Sequence, residues 1–115
     1  MEKRSFLDRT FQLWEYRVGH GSLLIRSPKN TKIKTNVDLI FRGVEYLSVP
    51  RFFRGIEFKE ATHKDIQKLT NKLGRQVLVH AVHVFVSDEH RFYVVAANFQ
   101  IEENEKDIFN SPFDY

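Results

Sequence analysis

The sequence predicts an α+β fold, in which a mainly antiparallel β-sheet of five to seven strands carries one α-helix, at about 63–73, on one face. Only that stretch has the 3.6-residue apolar period of a helix, whereas the remainder alternates β-branched and aromatic residues with polar ones. Short polar or glycine-containing segments separate the β-rich runs and indicate hairpins. The 115 residues include 11 phenylalanines and are expected to form a single domain, 1–115, with a substantial core.

The strongest predicted element is a hairpin in the second half of the chain. Two β-rich runs, 76–86 and 91–101, flank a polar tip at 87–90. Folding the chain at this tip sets the cross-strand pairs Leu78–Phe99, Val82–Val95, Val84–Tyr93 and Phe85–Phe92. Both faces of the pair are mostly apolar, which predicts that it lies in the middle of the sheet and is covered on both sides.

Other strands are predicted before the helix. A first hairpin spans 10–27 with its turn at 19–22, and its register places Glu15 opposite Arg26 as a cross-strand ion pair. Gly43 indicates a turn or bulge between two strands. The segments after the first hairpin are predicted as a basic loop at 28–36, strands at 36–42, 44–49 and 56–59, and a loop at 51–55.

The predicted helix has signals at both ends. Thr62 is a good N-cap with Asp65 in a capping-box position, and Gly74 is suited to the C-cap. Its apolar stripe consists of Ile66, Leu69 and Leu73. Because this stripe is narrow, it covers only one face of the central hairpin. The other face requires a second cover, which is the first hairpin, the tail at 109–115 or another copy of the chain.

Several kinds of chemistry are not expected. The chain has no cysteine, which excludes disulfides, thiolate metal sites and a cysteine nucleophile. Glycine-rich phosphate loops and the common metal-binding motifs are missing, so no catalytic residue, metal site or cofactor is predicted. No apolar run has the length of a membrane span and no signal-peptide pattern occurs, so a cytoplasmic location without membrane binding is expected.

Two histidines in the central hairpin allow an alternative hypothesis about function. His80 and His83 are three residues apart on a predicted strand, so they point to opposite faces and cannot bind one ion together. We interpret both as imidazoles facing the core. The alternative is a small enzyme or ligand-binding protein with a pocket near them.

The charge is unevenly distributed. Residues 1–75 contain 16 Lys/Arg and 8 Asp/Glu, whereas residues 76–115 contain 2 and 7. This pattern favours an acidic segment, 102–107, that lies against basic strands of the same chain or of a partner. The alternative is a nucleic-acid-binding module that uses the basic stretch 17–34, with weak binding at most. Its candidate anion-binding residues are Arg17, Arg26, Lys29, Lys32 and Lys34.

A candidate interface surrounds two adjacent phenylalanines. Adjacent side chains on a loop do not both turn inward easily, so one of Phe52 and Phe53 is expected to be exposed, next to arginines of the kind enriched at protein interfaces. Together with the uncovered face of the central hairpin, this predicts a homodimer. The predicted interface residues are Arg51, Phe52, Phe53, Arg54, Phe109, Phe113 and Tyr115.

The sequence does not identify a function. The first hypothesis is a small non-enzymatic binding or interaction protein with a protein partner. Bacterial accessory and toxin-immunity proteins share this general size and composition, which is an analogy only. The nucleic-acid-binding module is the second hypothesis, and the enzyme or ligand-binding protein with a pocket near His80 and His83 is the third.

Overall fold

The structure is a computed structural model and describes residues 5–114. Short 3₁₀ turns lie at Val18–His20 and Val79–Ala81. The main elements are the strands β1 (Ser5–Arg17), β2 (Ser22–Ser27), β3 (Asn36–Ser48) and β4 (Phe52–Lys59), the helix α1 (His63–Leu73), and the strands β5 (Val82–Ser87) and β6 (His90–Asn104). The predicted α+β class, with an antiparallel sheet and one α-helix among the described residues, is confirmed.

The sheet closes on itself as a barrel. The strands follow the order β1-β2-β3-β6-β5-β4, and β4 pairs with β1 to complete the circle. All the pairings are antiparallel. Closure was not predicted from the sequence, and it removes most of the exposed outer edge that an open sheet would have.

The barrel interior explains why the central hairpin has two apolar faces. All six strands contribute buried side chains to one cluster, and the rings of Phe11 and Phe53 stack in it with centroids 5.6 Å apart. Phe85 and Val94, on the face that the helix does not cover, are fully buried there. The first hairpin, one of the three covers considered, therefore supplies the missing cover. The apolar face from which a homodimer was predicted is buried within one chain.

The helix covers the outer face of the same hairpin. Leu69 of α1 packs with β5 and β6 in a second buried cluster, completed by Val77, Val82, Val84, Tyr93 and Val95. Both ends of α1 lie at the predicted positions. Thr62 and Asp65 form a capping box, and Gly74 ends the helix in the left-handed region at φ 71°.

Asp65 also joins the helix to the barrel. Its carboxylate accepts hydrogen bonds from the Tyr93 hydroxyl at 2.8 Å and from Arg91 Nη2 at 2.6 Å, besides the Thr62 backbone N–H at 2.8 Å. Burial acts to raise the pKa of Asp65, but hydrogen bonds from Arg91, Thr62 and Tyr93 outweigh it and hold that pKa well below its usual range. Burial, followed by the bond to Asp65, raises the pKa of Tyr93.

The register of the central hairpin is confirmed near its tip and wrong farther away. Phe85 lies opposite Phe92 as predicted, as do the pairs Val82–Val95 and Val84–Tyr93. The predicted pair Leu78–Phe99 does not form, because the chain before β5 packs Val77 against the helix and then makes a 3₁₀ turn. Phe99 lies opposite Phe41 of β3 instead, with stacked rings 4.6 Å apart.

The first hairpin has a different register from the predicted one. Glu15 lies opposite Leu24, so the predicted pair of Glu15 and Arg26 is wrong. A register shift between Leu13 and Glu15 and a longer turn displace one strand along the other. Arg26 lies opposite Asp38 on its other side and forms its ion pair there.

Two predicted boundaries inside the sheet are also wrong. The segments 36–42 and 44–49 belong to the single strand β3, which continues through Gly43 at φ 69°. A Cβ atom at Gly43 would lie 3.0 Å from the Cβ of Ala97, so the close approach of β6 suits glycine. The predicted loop at 51–55 is largely the first half of β4, because Phe53 turns into the barrel and makes the segment extended.

No helix among the described residues is long and apolar enough to cross a bilayer.

The Asp65 contacts predict an acid-dependent loss of stability. Asp65→Asn is expected to lower the free energy of unfolding by about 2 kcal/mol near neutral pH, because it weakens hydrogen bonds to charged and buried groups. Since the native pKa of Asp65 is lowered, the carboxylate stabilises the fold fully above its unfolded-state pKa of about 3.9, and this contribution is lost as the pH falls further. The difference between wild type and variant should therefore shrink below about pH 4.

Urea unfolding at several pH values from neutral to about 2.5 measures this difference. Glu45→Gln is the matched control, since Glu45 is half exposed and its ion pair within residues 5–114 is with the exposed Arg75. A difference between wild type and Asp65→Asn that stays constant through the acid range would contradict the role given to the carboxylate.

Candidate functional site

A groove lies at one end of the barrel. The connection from β3 to β4 and the turn between β5 and β6 reach the same end, because neighbouring strands are antiparallel. A cavity of about 420 Å³ opens between them. Its lining consists of Pro50, Phe52, Phe53, Arg54, Ser87, Asp88, His90 and Phe92. We call it the β4 groove.

The β4 groove runs beside an unpaired strand edge. Strand β4 begins at Phe52 but pairs with β5 only through its last three residues, Glu57–Lys59. The first half of β4 pairs with β1 on its other side. Because β5 ends at Ser87, whose hydroxyl donates to the Arg54 carbonyl oxygen at 3.0 Å, the edge beyond that point is open toward the groove.

The groove combines an aromatic surface with positive charge. Phe52 is 52% exposed, and the Arg51 guanidinium carbon lies 4.9 Å from the centre of its ring. Arg51 and Arg54 are both exposed, and neither guanidinium pairs with a carboxylate of the described residues. On the opposite wall, His90 stacks on Phe92 and its Nδ1 lies 2.8 Å from the Asp88 carbonyl oxygen.

The turn that forms this opposite wall has an unusual backbone. Asp88 and Glu89 have φ angles of 51° and 65°, and they are the only non-glycine residues with positive φ among those described. A two-residue hairpin turn requires such angles, and asparagine or glycine usually supplies them. A second cavity, of about 290 Å³, also borders this turn and shares Arg54, Ser87 and Asp88 with the β4 groove. The turn therefore contributes to the lining of two concave surfaces.

The structure exposes some of the predicted interface residues and buries others. Arg51, Phe52 and Arg54 are exposed. Phe52 and Arg54 line the groove, and Arg51 lies beside it against the Phe52 ring. Phe53 is 8% exposed and Phe113 is 3% exposed, so both belong mainly to the protein's own core. This confirms that one of the two adjacent phenylalanines is exposed. Phe109 is 87% exposed but does not line the groove, and the prediction for Tyr115 lies outside the described residues.

The candidate anion-binding residues do not form one free basic surface. Arg26 is 1% exposed, and its Nε donates to Asp38 at 2.6 Å. Arg17 pairs with Glu15 and Asp114. Lys29 donates to the carbonyl oxygen of Glu105 in the acidic segment, whereas Lys32 and Lys34 are exposed. Strand twist and pairing thus turn most of these cations toward partners within the chain.

The two histidines of the third hypothesis are separated. His80 is exposed on the 3₁₀ turn, so its predicted core-facing position is wrong. His83 is partly buried among the rings of Phe41 and Phe99, with Nε2 3.3 Å from the Ala96 carbonyl oxygen. Neither histidine lines the two cavities described above. Within residues 5–114, no group of three or more His, Asp or Glu side chains is arranged to hold a metal ion.

The sequence analysis missed most of one wall of the groove. Ser87, Asp88, His90 and Phe92 belong to the tip of the central hairpin and were treated only as turn and strand residues. The available signal was their position at or next to the β5–β6 turn. In an antiparallel sheet, this turn lies at the same end as the start of β4. Using it required recognising 52–55 as part of a strand.

Comparison with known proteins found no matching family model, no similar curated protein and no similar solved structure. The chemistry of the site therefore has to be inferred from its own residues.

The division between Phe52 and Phe53 is testable by alanine substitution. Phe53→Ala is expected to lower the free energy of unfolding by about 3–5 kcal/mol, because it leaves a cavity between Phe11, Phe85 and Phe92. Phe52→Ala should change it by less than about 1 kcal/mol, since its ring is half in solvent. Urea denaturation measures both, and equal effects would contradict the assignment of one ring to the core and one to the groove.

Proposed function

We propose that this protein is a non-enzymatic binding protein that holds an extended peptide segment of a partner protein in the β4 groove. The observation that supports this most directly is the open edge of β4 next to an aromatic cavity. Extended peptides bind such edges by adding a strand, in which main-chain hydrogen bonds provide affinity and pockets for alternate side chains provide specificity.

The groove also favours a particular kind of segment. A cavity of about 420 Å³ accommodates one large apolar side chain against Phe52, Phe53 and Phe92. Arg51 and Arg54 lack carboxylate partners in the described part of the chain, so a carboxylate on the segment would complement them through charge-assisted hydrogen bonds. The proposed occupant is therefore an extended segment with an aromatic or large aliphatic residue near an acidic one.

The polar groups of the groove favour binding over catalysis. The Ser87 hydroxyl donates to a backbone carbonyl oxygen, and His90 Nδ1 contacts another. A serine nucleophile would instead need a hydrogen bond to a base such as histidine. These side chains hold the shape of the turn, which is the role expected of them in a recognition surface.

A peptide selection tests the proposal. Random twelve-residue peptides displayed on phage are selected on the wild-type protein and counter-selected on the Phe52→Asp variant. We expect enriched peptides to contain an apolar residue near an acidic one, and to lose at least about tenfold in affinity on Phe52→Asp. Arg54→Ala should weaken the same peptides and reduce the salt dependence of their binding.

Leu78→Ala is the matched control, because Leu78 is 58% exposed and does not line the groove. Its peptide affinity should equal that of wild type, and circular dichroism should show that every variant is folded. Peptides that bind wild type and Phe52→Asp equally well would contradict the proposal.

Self-association through the same surface is the alternative to binding a partner peptide. The homodimer predicted from the sequence would now have to form through the exposed Phe52, since the apolar hairpin face is buried. Light scattering during size exclusion gives about twice the 13.7 kDa chain mass in that case, and Phe52→Asp restores the monomer. A dimer of this kind would identify a second copy, rather than another protein, as the occupant of the groove.

A further inference from the structure

The chain after β6 forms a strap across the outside of the barrel. Residues 105–114, which we call the strap, turn back at the end of β6 and run over β2 and β3. Near its end, Phe113 is buried to 3% exposure against Leu24 and Ile40, with Trp14 packed beside them. This cluster is separate from the barrel interior and from the β4 groove.

The barrel holds the strap largely through its backbone. Four side chains of the first half of the chain donate to five of its carbonyl oxygens, and Arg26 supplies two of these bonds, at 2.8 Å to Ile108 and 3.0 Å to Asn110. The strap contains two turns, closed by the Asn110 N–H to Asp107 and the Asp114 N–H to Ser111. Any peptide that follows this path offers the same carbonyl acceptors, so these contacts recognise the backbone without regard to its sequence. The other three bonds are Lys29 to Glu105, Asn36 to Lys106 and Arg17 to Phe113.

Three residues near the end of the strap provide sequence-dependent contacts, and the first is Ser111, whose hydroxyl donates to the Glu15 carboxylate at 2.7 Å. The Phe113 ring lies under the guanidinium carbons of Arg17 and Arg42, at 6.0 Å and 5.4 Å from its centre. The Asp114 carboxylate accepts from Arg17 Nη2 at 2.5 Å. The surface therefore selects an aromatic residue followed by an acidic one.

The main anchor of this surface is built without the strap. Asp38 binds Arg26 through two bonds, of 2.6 Å to Nε and 3.1 Å to Nη2, and Asn104 donates to Asp38. The ring of Trp14 lies 5.2 Å from the Arg26 guanidinium carbon. These contacts leave the guanidinium oriented, with donors directed at the position of the strap carbonyls. Removal of the strap would thus uncover a preformed site rather than a disordered one.

We infer that this surface is a second peptide-binding site, and that the strap occupies it as an internal competitor for a partner segment of the same chemistry. The incoming segment is a short peptide that forms two consecutive turns, as the strap does, and ends in an aromatic residue followed by an acidic one. A peptide fits better than a nucleic acid, because Asp38 neutralises Arg26 and Glu15 lies beside Arg17, so phosphates would meet carboxylates as well as cations. Neutral carbonyl oxygens suit this mixed environment.

The tether sets how easily the strap is replaced. Being attached at Asn104, the strap acts at an effective concentration of about millimolar, so a free peptide competes poorly with an intact strap. Weakening the strap's own contacts should therefore increase the apparent affinity for a peptide in solution. This relation distinguishes a competitor from a purely structural element.

The experiment uses the full chain and a fluorescent synthetic peptide with the sequence of residues 105–115. Phe113→Ala in the protein removes the buried ring of the strap, and we expect its apparent Kd for the peptide, measured by fluorescence anisotropy, to be at least about tenfold lower than that of wild type. The peptide with alanine in place of its own phenylalanine at position 113 should bind neither protein measurably. The fluorescence of Trp14, the only tryptophan, should change on Phe113→Ala and return on peptide binding.

Phe109→Ala is the matched control, since it removes an aromatic ring from the same strap that is 87% exposed. It should bind the peptide as weakly as wild type does. Phe52→Asp should also leave peptide binding by the Phe113→Ala protein unchanged, which separates this site from the β4 groove.

Two results would overturn the inference. One is failure of the folded Phe113→Ala protein to bind the peptide at about 1 mM. The other is equal binding by wild type and Phe113→Ala.

If Phe113→Ala does not fold, Asp114→Lys replaces it, because Asp114 is exposed and its loss loosens the strap only at Arg17. Peptide binding by Asp114→Lys that is no tighter than that of wild type then rejects the competitor role.

Discussion

The fold depends on the pairing of β1 with two strands at once. Its second half pairs with β2 and its first half with β4, which closes the barrel. The pairing with β4 has a register shift between Phe6 and Thr10, where Gly55 adopts φ 76° and a Cβ atom would lie 3.0 Å from the Leu7 carbonyl oxygen. Glycine at this position allows β4 to approach closely. Without that closure, the interior phenylalanines would face water.

The same closure shapes the β4 groove, where we propose that a peptide binds. Because β1 already pairs with the first half of β4, that segment stays extended although β5 does not reach it. The open edge is thus held in strand geometry by the barrel itself. Such preorganisation reduces the entropy that an added peptide strand loses on binding.

Local signals in the sequence were sufficient for some elements and not for others. The helix was predicted with its true bounds, because Thr62, Asp65 and Gly74 act within a few residues of the chain. The central hairpin was predicted correctly next to its tip for the same reason. The closure of the sheet was not predictable, because the alternation of residues on β1 and β4 does not specify which strand lies beside which. The homodimer was predicted because the closure was not foreseen, since an open sheet would have left one apolar face uncovered.

The candidate sites show a similar division. The motif Arg51–Arg54 was recognised from its composition, whereas its opposite wall required knowledge of which ends of the strands meet. Arg17 was recognised only as a positive charge, and Arg26 was assigned to Glu15 rather than to Asp38. Their partners, Asp38, Asp114 and the strap carbonyls, depend on a strand register and on a tail path that composition does not encode.

The position of β6 in the barrel has a consequence for folding. This strand lies between β3 and β5 and follows every other strand in the chain, and β3 pairs with it from Asn36 to Ser48. Before β6 is added, β5 and the helix therefore have no pairing to β3, and the edge of β3 is open. The barrel can close only after pairings between distant segments form, which is slow compared with local contacts. During that interval the unpaired edges are the part of the molecule most exposed to wrong associations, and so the part on which a chaperone would act.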